Sequence, residues 1–454
     1  MSATSQVTRK PSILKGFRDY LPEQMILRQE IIGRFKQVFE LHGFDPLDTP
    51  AIEYLEVLTG KAGENEKLMY AFEDHGGRSV GLRYDLTVPL ARVVAMHQSE
   101  IVLPFKRYHV APVWRADRPQ RGRFREFWQC DADIAGVESM AADAEIISVL
   151  VDALGSVGLD NSVVHISHRR LLERIAIAAG VPEYQAATVY RSVDKLDKIG
   201  ADGVKIEMLE GGISREAADA ILETIAISGN SSDILFELSR RLPSDANAEG
   251  ALAEMTELFQ LLSQMGVDSS KAVLDLTLAR GLDYYTGPVF EAKVTEPKVG
   301  SVAGGGRYEG LIGSFGSRPI SATGVSLGLE RIIEVVREHQ TLPIPTAVAQ
   351  VFVPVVDRTL GIAAELTRDL RAAGIKTDLS LLESKGLGEQ LKYAGRRGIA
   401  LAAIAGPDEA ARSVVAIKDL ASGEQIDIER PELIDRISSM IAATKASQER
   451  NRAE

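Results

Sequence analysis

The sequence has a single cysteine, Cys130, among 454 residues. That excludes an internal disulfide and any zinc site built from several thiolates, and it fits a reducing compartment. No uninterrupted apolar run approaches the ~20 residues that a membrane span needs. The opening MSATSQVTRKPSILKG carries no apolar stretch long enough for a signal peptide, so a cytoplasmic location is expected. Positive charge is not in excess: 52 Lys and Arg against 64 Asp and Glu leave a net charge of −12. Any polyanion must therefore bind a local cationic feature rather than the whole surface. The patterns GxxxxGK[ST], GxGxxG and HExxH are all missing. P-loop, dinucleotide and zinc-peptidase readings lose support with them. Of the seven histidines only His165 and His168 lie close together, and they read as strand-end residues rather than metal ligands. There is no repeat of 20–50 residues and no low-complexity tract.

What is present is ordinary globular sequence, 45% hydrophobic and 26% charged. Its length suggests about three domains at ~150 residues each. The apolar residues Ile26, Ile31, Ile32, Phe35, Val38 and Phe39 recur at helical spacing over Pro22–His42. Strands are expected over 78–82, Phe105–Arg115 and Phe124–Ile134, with a helix over Thr87–Met96. From about 141 to 265 the pattern is mainly helical, with a strand near Ser162–Ser167. Strand-like, glycine-rich sequence resumes at 274–294 and 300–306, and a helix is expected over Gly324–Val336. HQTLPIPTAV (339–348) is a linker by composition. Beyond it strands and helices alternate, which predicts a small α/β domain with a largely parallel or mixed sheet.

Four features carry chemistry. Lys106–Arg125 holds seven basic residues (Lys106, Arg107, Arg115, Arg118, Arg121, Arg123, Arg125) and one acid, Asp117. Arginine forks suit phosphate, and Arg121, Arg123 and Arg125 would share a face if the second strand starts early. LARGLDYYTGPVFE (278–291) sets Arg280 near Tyr284 and Tyr285. GSVAGGGRYEGLIGSFG (300–316) has a glycine run that permits close backbone approach to a ligand. GVSLGLERI (324–332) keeps one side small at an expected helix start and is followed by Arg331. Taken singly, each has a commoner structural reading: a solvated hairpin, a turn with core tyrosines, a sheet bend, a bare helix start.

Together, in this order, the four resemble the histidyl-tRNA synthetase family of class II aminoacyl-tRNA synthetases, over nearly the whole chain from Gly16. FDPLDTPAIE, with Pro50, is similar to the family's first motif, which builds a dimer interface. VWRADRPQRGRFREFWQCDADIAG is similar to the second, a strand–loop–strand that holds ATP and the acceptor end of tRNA. GVSLGLERI is similar to the third. LARGLDYYTGPVFE and VAGGGRYEGL resemble the two histidine-specific signatures. LRYDLTVPLAR and SVDKLDK (192–198) look like the eukaryotic-type branch, and RPQRGR like bacterial members.

The resemblance implies an α+β catalytic core with an antiparallel sheet (11–167 and 269–338), a helical insertion (168–268), a linker (339–345), a C-terminal α/β anticodon-binding domain (346–445) and a tail (446–454). It implies that Asp85, Thr87 and Gln129 hold the histidine amino group. Asp133 and Tyr285 would bind the imidazole, with Tyr284 and Tyr308 as pocket walls. Family members often have glutamate at the places of Asp85 and Asp133. ATP would be held by Arg115 on the α-phosphate, Phe127 on adenine and Arg331 on the γ-phosphate. Arg280, with Arg115, would be catalytic. Arg118, Gln120, Arg121 and Arg123 would touch the tRNA acceptor. Mg²⁺ would come with ATP, with no protein ligand set assigned. The implied partners are histidine tRNA, ATP, L-histidine and a second copy of the chain, with no membrane and no DNA. In the C-terminal part, Lys385, Lys392, Arg396 and Arg397 face one acid, Glu389, a modest positive patch. The alternative is the synthetase-like regulatory subunit of ATP phosphoribosyltransferase, a paralogue that usually lacks the C-terminal domain and loses catalytic positions.

Overall fold

The computed structural model describes residues 11–59, 68–119, 122–279, 284–296, 300–316, 318–342 and 346–450, with side chains through 443. Gln120, Arg121 and Arg280 lie outside the described residues. The chain divides into two compact units. One runs up to Arg18 and from Ile32 to His339; the other takes Asp19–Ile31 and the chain from Gln340 onward.

In the larger unit the strands are β1 (Asp45–Pro46), β2 (Ile52–Tyr54), β3 (Ala71–Glu73), β4 (Ser79–Leu82), β5 (Phe105–Trp114), β6 (Glu126–Ala135), β7 (Val163–His168), β8 (Ala272–Leu274), β9 (Tyr285–Lys293), β10 (Ser301–Tyr308) and β11 (Ala322–Gly328). Eight of them form one sheet in the order β1-β5-β6-β11-β10-β9-β7-β8. The six central strands are antiparallel, and a short parallel strand sits at each edge. The order β2-β4-β3 makes a small second sheet. Strand alternation sorts β6 into two faces. Cys130, Ala132 and Ile134 are buried apolar residues, while Gln129, Asp131 and Asp133 are buried polar ones. The helices Ala141–Ser156 and Leu329–His339 pack on this sheet.

The expected helix over Gly324–Val336 is wrong in its first half. Residues 322–328 are strand β11, and the helix begins at Leu329. Gly324, Ser326 and Gly328 recur at the strand period of two, opposite Asp133, Asp131 and Gln129 of β6. Gly324 is small because the space is taken: a Cβ there would stand 2.0 Å from Asp133 Oδ1, whereas one on Gly328 would meet only the Val302 carbonyl oxygen at 3.4 Å. Gly305 and Gly306 are crowded too, since a Cβ would stand 2.2 Å from the Gly324 carbonyl oxygen on the first and 2.8 Å from the Pro288 carbonyl oxygen on the second. Arg307, the next residue, is a buried staple. It donates to Asp143 Oδ2, the Val137 and Ser139 carbonyls and Ser321 Oγ.

Between β7 and β8 the chain is helical, from Arg169–Ala178 through Ala246–Gln264. Side-chain caps start several of these helices. Ser214 accepts from the Ala217 N–H, Asn230 from Asp233 and Asp245 from Ala248. His165 and His168 pair with Asp275 and Glu254. Among the described residues no group of three or more His, Cys, Asp or Glu side chains is placed to hold a metal ion.

The smaller unit has strands β12 (Val351–Val353), β13 (Thr377–Leu379), β14 (Leu401–Ile404), β15 (Val414–Asp419) and β16 (Gln425–Glu429), in the order β13-β12-β14-β15-β16. The first three are parallel and the last two antiparallel, a mixed sheet. Its core gathers Val351, Val353, Leu366, Leu370, Leu401, Val415 and Ile437.

Candidate active site

The polar face of the large sheet floors a cavity of about 290 Å³. Strand register builds the floor. Arg107 of β5 stands opposite Asp133 of β6, which stands opposite Gly324 of β11. In the next rows His109 faces Asp131 and Ser326, and Ala111 faces Gln129 and Gly328. Gly304 and Gly306 of β10 extend the same face toward Glu291 of β9. The glycines leave room above the sheet, and the polar residues of β6 supply the chemistry beneath it.

Asp85, Thr87, Arg115, Gln129, Asp133, Tyr284, Tyr285 and Tyr308 all line this cavity. The structure thus brings the seven expected histidine-site residues and one expected phosphate ligand to one wall. Asp85 is buried and precedes the helix Thr87–Met96. Its Oδ1 accepts the Val88 N–H at 3.1 Å, while its Oδ2 has no hydrogen-bond partner among the described residues. Burial pushes its carboxyl up to about 6, against the pull of the Val88 N–H and the Arg115 charge. Gln129 spends its amide N–H on Ser326 Oγ at 2.6 Å, and its buried Oε1 has no hydrogen-bond partner among the described residues. Two open acceptor oxygens on one cavity wall suit a donor with several protons, such as an ammonium group.

Asp133 accepts from Tyr308 Oη at 2.7 Å on Oδ1, and its Oδ2 lies 2.8 Å from Arg107 Nη2. Burial raises its pKa, and the Arg107 charge and Tyr308 hydroxyl oppose the rise. The three tyrosines form an aromatic wall. Tyr284 meets Tyr285 edge-on with centroids 4.9 Å apart and Tyr308 at 5.8 Å. Burial raises all three phenols further above their usual range, so they stay protonated and able to donate.

Arg115 is anchored through Nε to the Tyr84 carbonyl at 2.9 Å, and its guanidinium lies 5.2 Å from the Phe127 ring centroid. Phe127 itself packs on Leu86, Ala111 and Val113 beside the cavity and does not line it. Arg331 also stands off the cavity. It donates to the Ser301 carbonyl, and Ser301 Oγ donates to Glu291 on the cavity wall. A Cβ on Gly122 would stand 3.5 Å from Arg331 Cγ, so the loop between β5 and β6 reaches that arginine.

The basic run does not act as one feature. The second strand starts at Glu126, so Arg123 and Arg125 do not project from it. Arg125 donates to the Asp117 and Lys15 carbonyls, and Lys106 to the His42 carbonyl and Glu145. Arg118 and Arg123 are exposed. Arg107 is fully buried beneath the cavity, a position hidden by its place in a charged run. Leu278 and Tyr284, which flank residues 280–283 in the chain, both line the cavity. Glu291 carries no signal in the sequence; Ser326, which the sequence marks only as a small residue two positions from Gly324, also lines the cavity.

A family model described as histidyl-tRNA synthetase matches residues 16–332, and one described as an anticodon binding domain matches 350–440. A histidine–tRNA ligase from Aeropyrum pernix is 43% identical over 443 residues, covering 95% of this chain and 99% of that protein. The crystal structure of a histidyl-tRNA synthetase from Nostoc sp. PCC 7120 aligns at TM-score 0.87 and 32% identity, over 95% of this chain and 100% of that one. A Bacillus halodurans structure, described as an ATP phosphoribosyltransferase regulatory subunit/histidyl-tRNA synthetase, aligns at TM-score 0.73 and 26% identity, over 85% of this chain and 97% of that one.

Proposed function

The chain belongs to the histidyl-tRNA synthetase family, and from that premise we propose how its cavity performs the two steps of charging. The activity is that of a class II aminoacyl-tRNA synthetase: histidine is activated with ATP and joined to tRNA. The observation that carries the site assignment is the pair of buried oxygens, Asp85 Oδ2 and Gln129 Oε1, without a partner among the described residues, in the cavity that Asp133 also lines. The pair receives the α-ammonium group of histidine, with Thr87 beside it. Asp133 and Tyr285 bind the imidazole against the walls of Tyr284 and Tyr308. A site built to hydrogen-bond the ring rejects apolar mimics strongly, because its own buried groups would be left unpaired.

The carboxylate of the bound histidine attacks the α-phosphorus of ATP. A carboxylate oxygen–phosphorus bond forms, the bond to the bridging oxygen breaks, and pyrophosphate leaves. Two anions meet in this step, so cations fixed in a dry site are the main catalytic term. Arg115 supplies one from the cavity wall; Arg280 is assigned the second on the resemblance. Phe127 stacks on adenine and Arg331 holds the γ-phosphate. Neither lines the cavity: Phe127 lies beside Arg115, and Arg331 connects to the wall through Ser301 and Glu291. Mg²⁺ is read as part of the ATP substrate, neutralising its phosphates; Glu291 is the cavity carboxylate not given to histidine. In the second step a terminal ribose hydroxyl of tRNA attacks the aminoacyl carbonyl and AMP leaves. Arg118, Gln120, Arg121 and Arg123 guide that acceptor end, and residues 346–445 hold the anticodon.

The protein works as a cytoplasmic homodimer through the segment around Pro50. A C-terminal unit that matches an anticodon binding domain favours the synthetase over the regulatory paralogue. The test is histidine-dependent ATP–pyrophosphate exchange, followed by charging of histidine tRNA. Exchange driven equally well by other amino acids, or none with histidine, would refute the assignment.

A further inference from the structure

Arg107 and Arg307 are both buried arginines on this sheet, and they spend their donors differently. Arg307 satisfies its guanidinium with Asp143, Ser321 and the Val137 and Ser139 carbonyls. That is a structural clamp. Arg107 is 0% exposed, yet its Nε and Nη1 have no hydrogen-bond partner among the described residues. Only Nη2 is engaged, 2.8 Å from Asp133 Oδ2 and 3.2 Å from the Leu86 carbonyl oxygen. A buried cation with spare donors costs stability rather than adding it. Its two contacts lead to the two ends of the amino-acid site. Asp133 is the carboxylate assigned to the ring, and Leu86 sits between Asp85 and Thr87, the residues assigned to the amino group.

We propose that Arg107, which touches no substrate, is the positioning residue that keeps Asp133 anionic and aimed at the histidine ring and ties it to the Asp85–Thr87 turn. This inference rests on the reading of the cavity as the histidine site.

The charge balance beneath the cavity requires such a group. Asp85, Asp131 and Asp133 are all buried there. Arg107 is the cation in contact with Asp133, while Arg115 stands at the cavity edge. The other titratable groups facing Asp133 are Tyr285 and Tyr308, whose phenols are neutral, and His109, which burial and the Arg107 and Arg83 charges push down to about 4 and keep neutral. Burial pushes Asp131 up to about 8 even against the pull of the Arg107 charge, so it carries the proton at pH 7. Without Arg107, Asp133 would follow. A protonated Asp133 is a poorer acceptor for an imidazole N–H, and it would regain charge only at higher pH.

The experiment is pyrophosphate exchange between pH 7 and pH 8.5 on wild type, Arg107→Met and Arg107→Lys, with KM for histidine and for ATP measured separately. This window lies above the substrate imidazole's titration near 6.5. The wild-type histidine KM should be flat. Arg107→Met should raise it about 10–100-fold at pH 7, one to two decades for a one- to two-unit pKa change. That defect should shrink as pH rises, with the ATP KM within about threefold. Arg107→Lys keeps the charge, so its histidine KM should stay near wild type and flat. Equal rises in both KM values with no pH dependence, or an unchanged histidine KM in Arg107→Met, would overturn the proposal. If Arg107→Met does not fold, Arg107→Lys decides: a raised histidine KM that is matched for ATP overturns it. A wild type with no histidine-dependent exchange would instead sink the underlying reading of the site.

Discussion

Adding one methyl group at Gly324 should damage histidine recognition and spare ATP. A Cβ there would stand 2.0 Å from Asp133 Oδ1 and 2.4 Å from its Cγ, closer than any real contact. The backbone of β11 is paired on both sides, to β6 and β10, and cannot move away cheaply. Asp133 must therefore turn, which breaks its hydrogen bond from Tyr308 and its contact with Arg107. Losing a charge-assisted hydrogen bond costs about 1.5–3 kcal/mol. At about 1.4 kcal/mol per decade that is roughly a 10–150-fold rise in the histidine KM. Overpacking also costs about 1–3 kcal/mol of stability, so the melting temperature must be followed alongside. The control is Gly328→Ala on the same strand, whose Cβ would meet only the Val302 carbonyl oxygen at 3.4 Å, an ordinary contact. The assay is pyrophosphate exchange with each substrate varied in turn. Folded Gly324→Ala protein with a histidine KM within twofold of wild type would show that the placement of Asp133 does not read the ring. Equal losses for ATP would assign Asp133 to structure.

Asp85 titrates near pH 6, so it is charged above that pH and neutral below it; the ratio of kcat/KM for histidine between wild type and Asp85→Asn should therefore be large at pH 7.5 and fall toward one by pH 5. Comparing the two proteins at each pH cancels the substrate's own titration, and a ratio constant across the range would remove Asp85 from the amino-group site. Arg280→Ala should slow adenylate formation by roughly 10²–10³ while histidine binding by calorimetry persists; exchange within severalfold of wild type would refute the role. Lys392 and Arg396 are exposed on the helix Leu387–Arg396. Changing both to alanine should weaken tRNA charging, make its salt dependence shallower by about 1.4 in log–log slope, and leave pyrophosphate exchange unchanged; unaltered charging would deny tRNA binding by this face. These point substitutions test the C-terminal unit better than a truncation after Gln340, because Asp19–Ile31 group with that unit and would lose it.

The sequence by itself determined the order of the parts and pointed to most of the polar residues that line the cavity. The helix over Thr87–Met96 and the long hairpin of β5 and β6 follow from local periodicity, which needs no knowledge of distant residues. The seven residues expected around histidine were legible because they sit in unusual strings, RYDLT, QCDAD, LDYYTG and GGGRYEG, each short enough to be recognised without the fold. What local pattern could not decide was which face each residue takes. GVSLGLERI mixes a strand with a helix, and the strand half was read as helix because glycines at 324 and 328 match a helical step as well as two strand steps. Only the sheet register, which puts Gly324 against Asp133, says that this glycine is a gap left for a neighbour's side chain. The arginine run has the same lesson. Charge composition treats Arg107, Arg115, Arg118 and Arg125 as one cationic loop. The pairing of β5 with β6 sends Arg107 beneath the site, Arg115 onto its wall, Arg125 into backbone carbonyls and Arg118 into water. A residue's charge is set by its own chemistry, but whether that charge binds substrate, steadies a neighbour or merely solvates depends on partners brought from elsewhere in the chain, and those only the tertiary structure supplies.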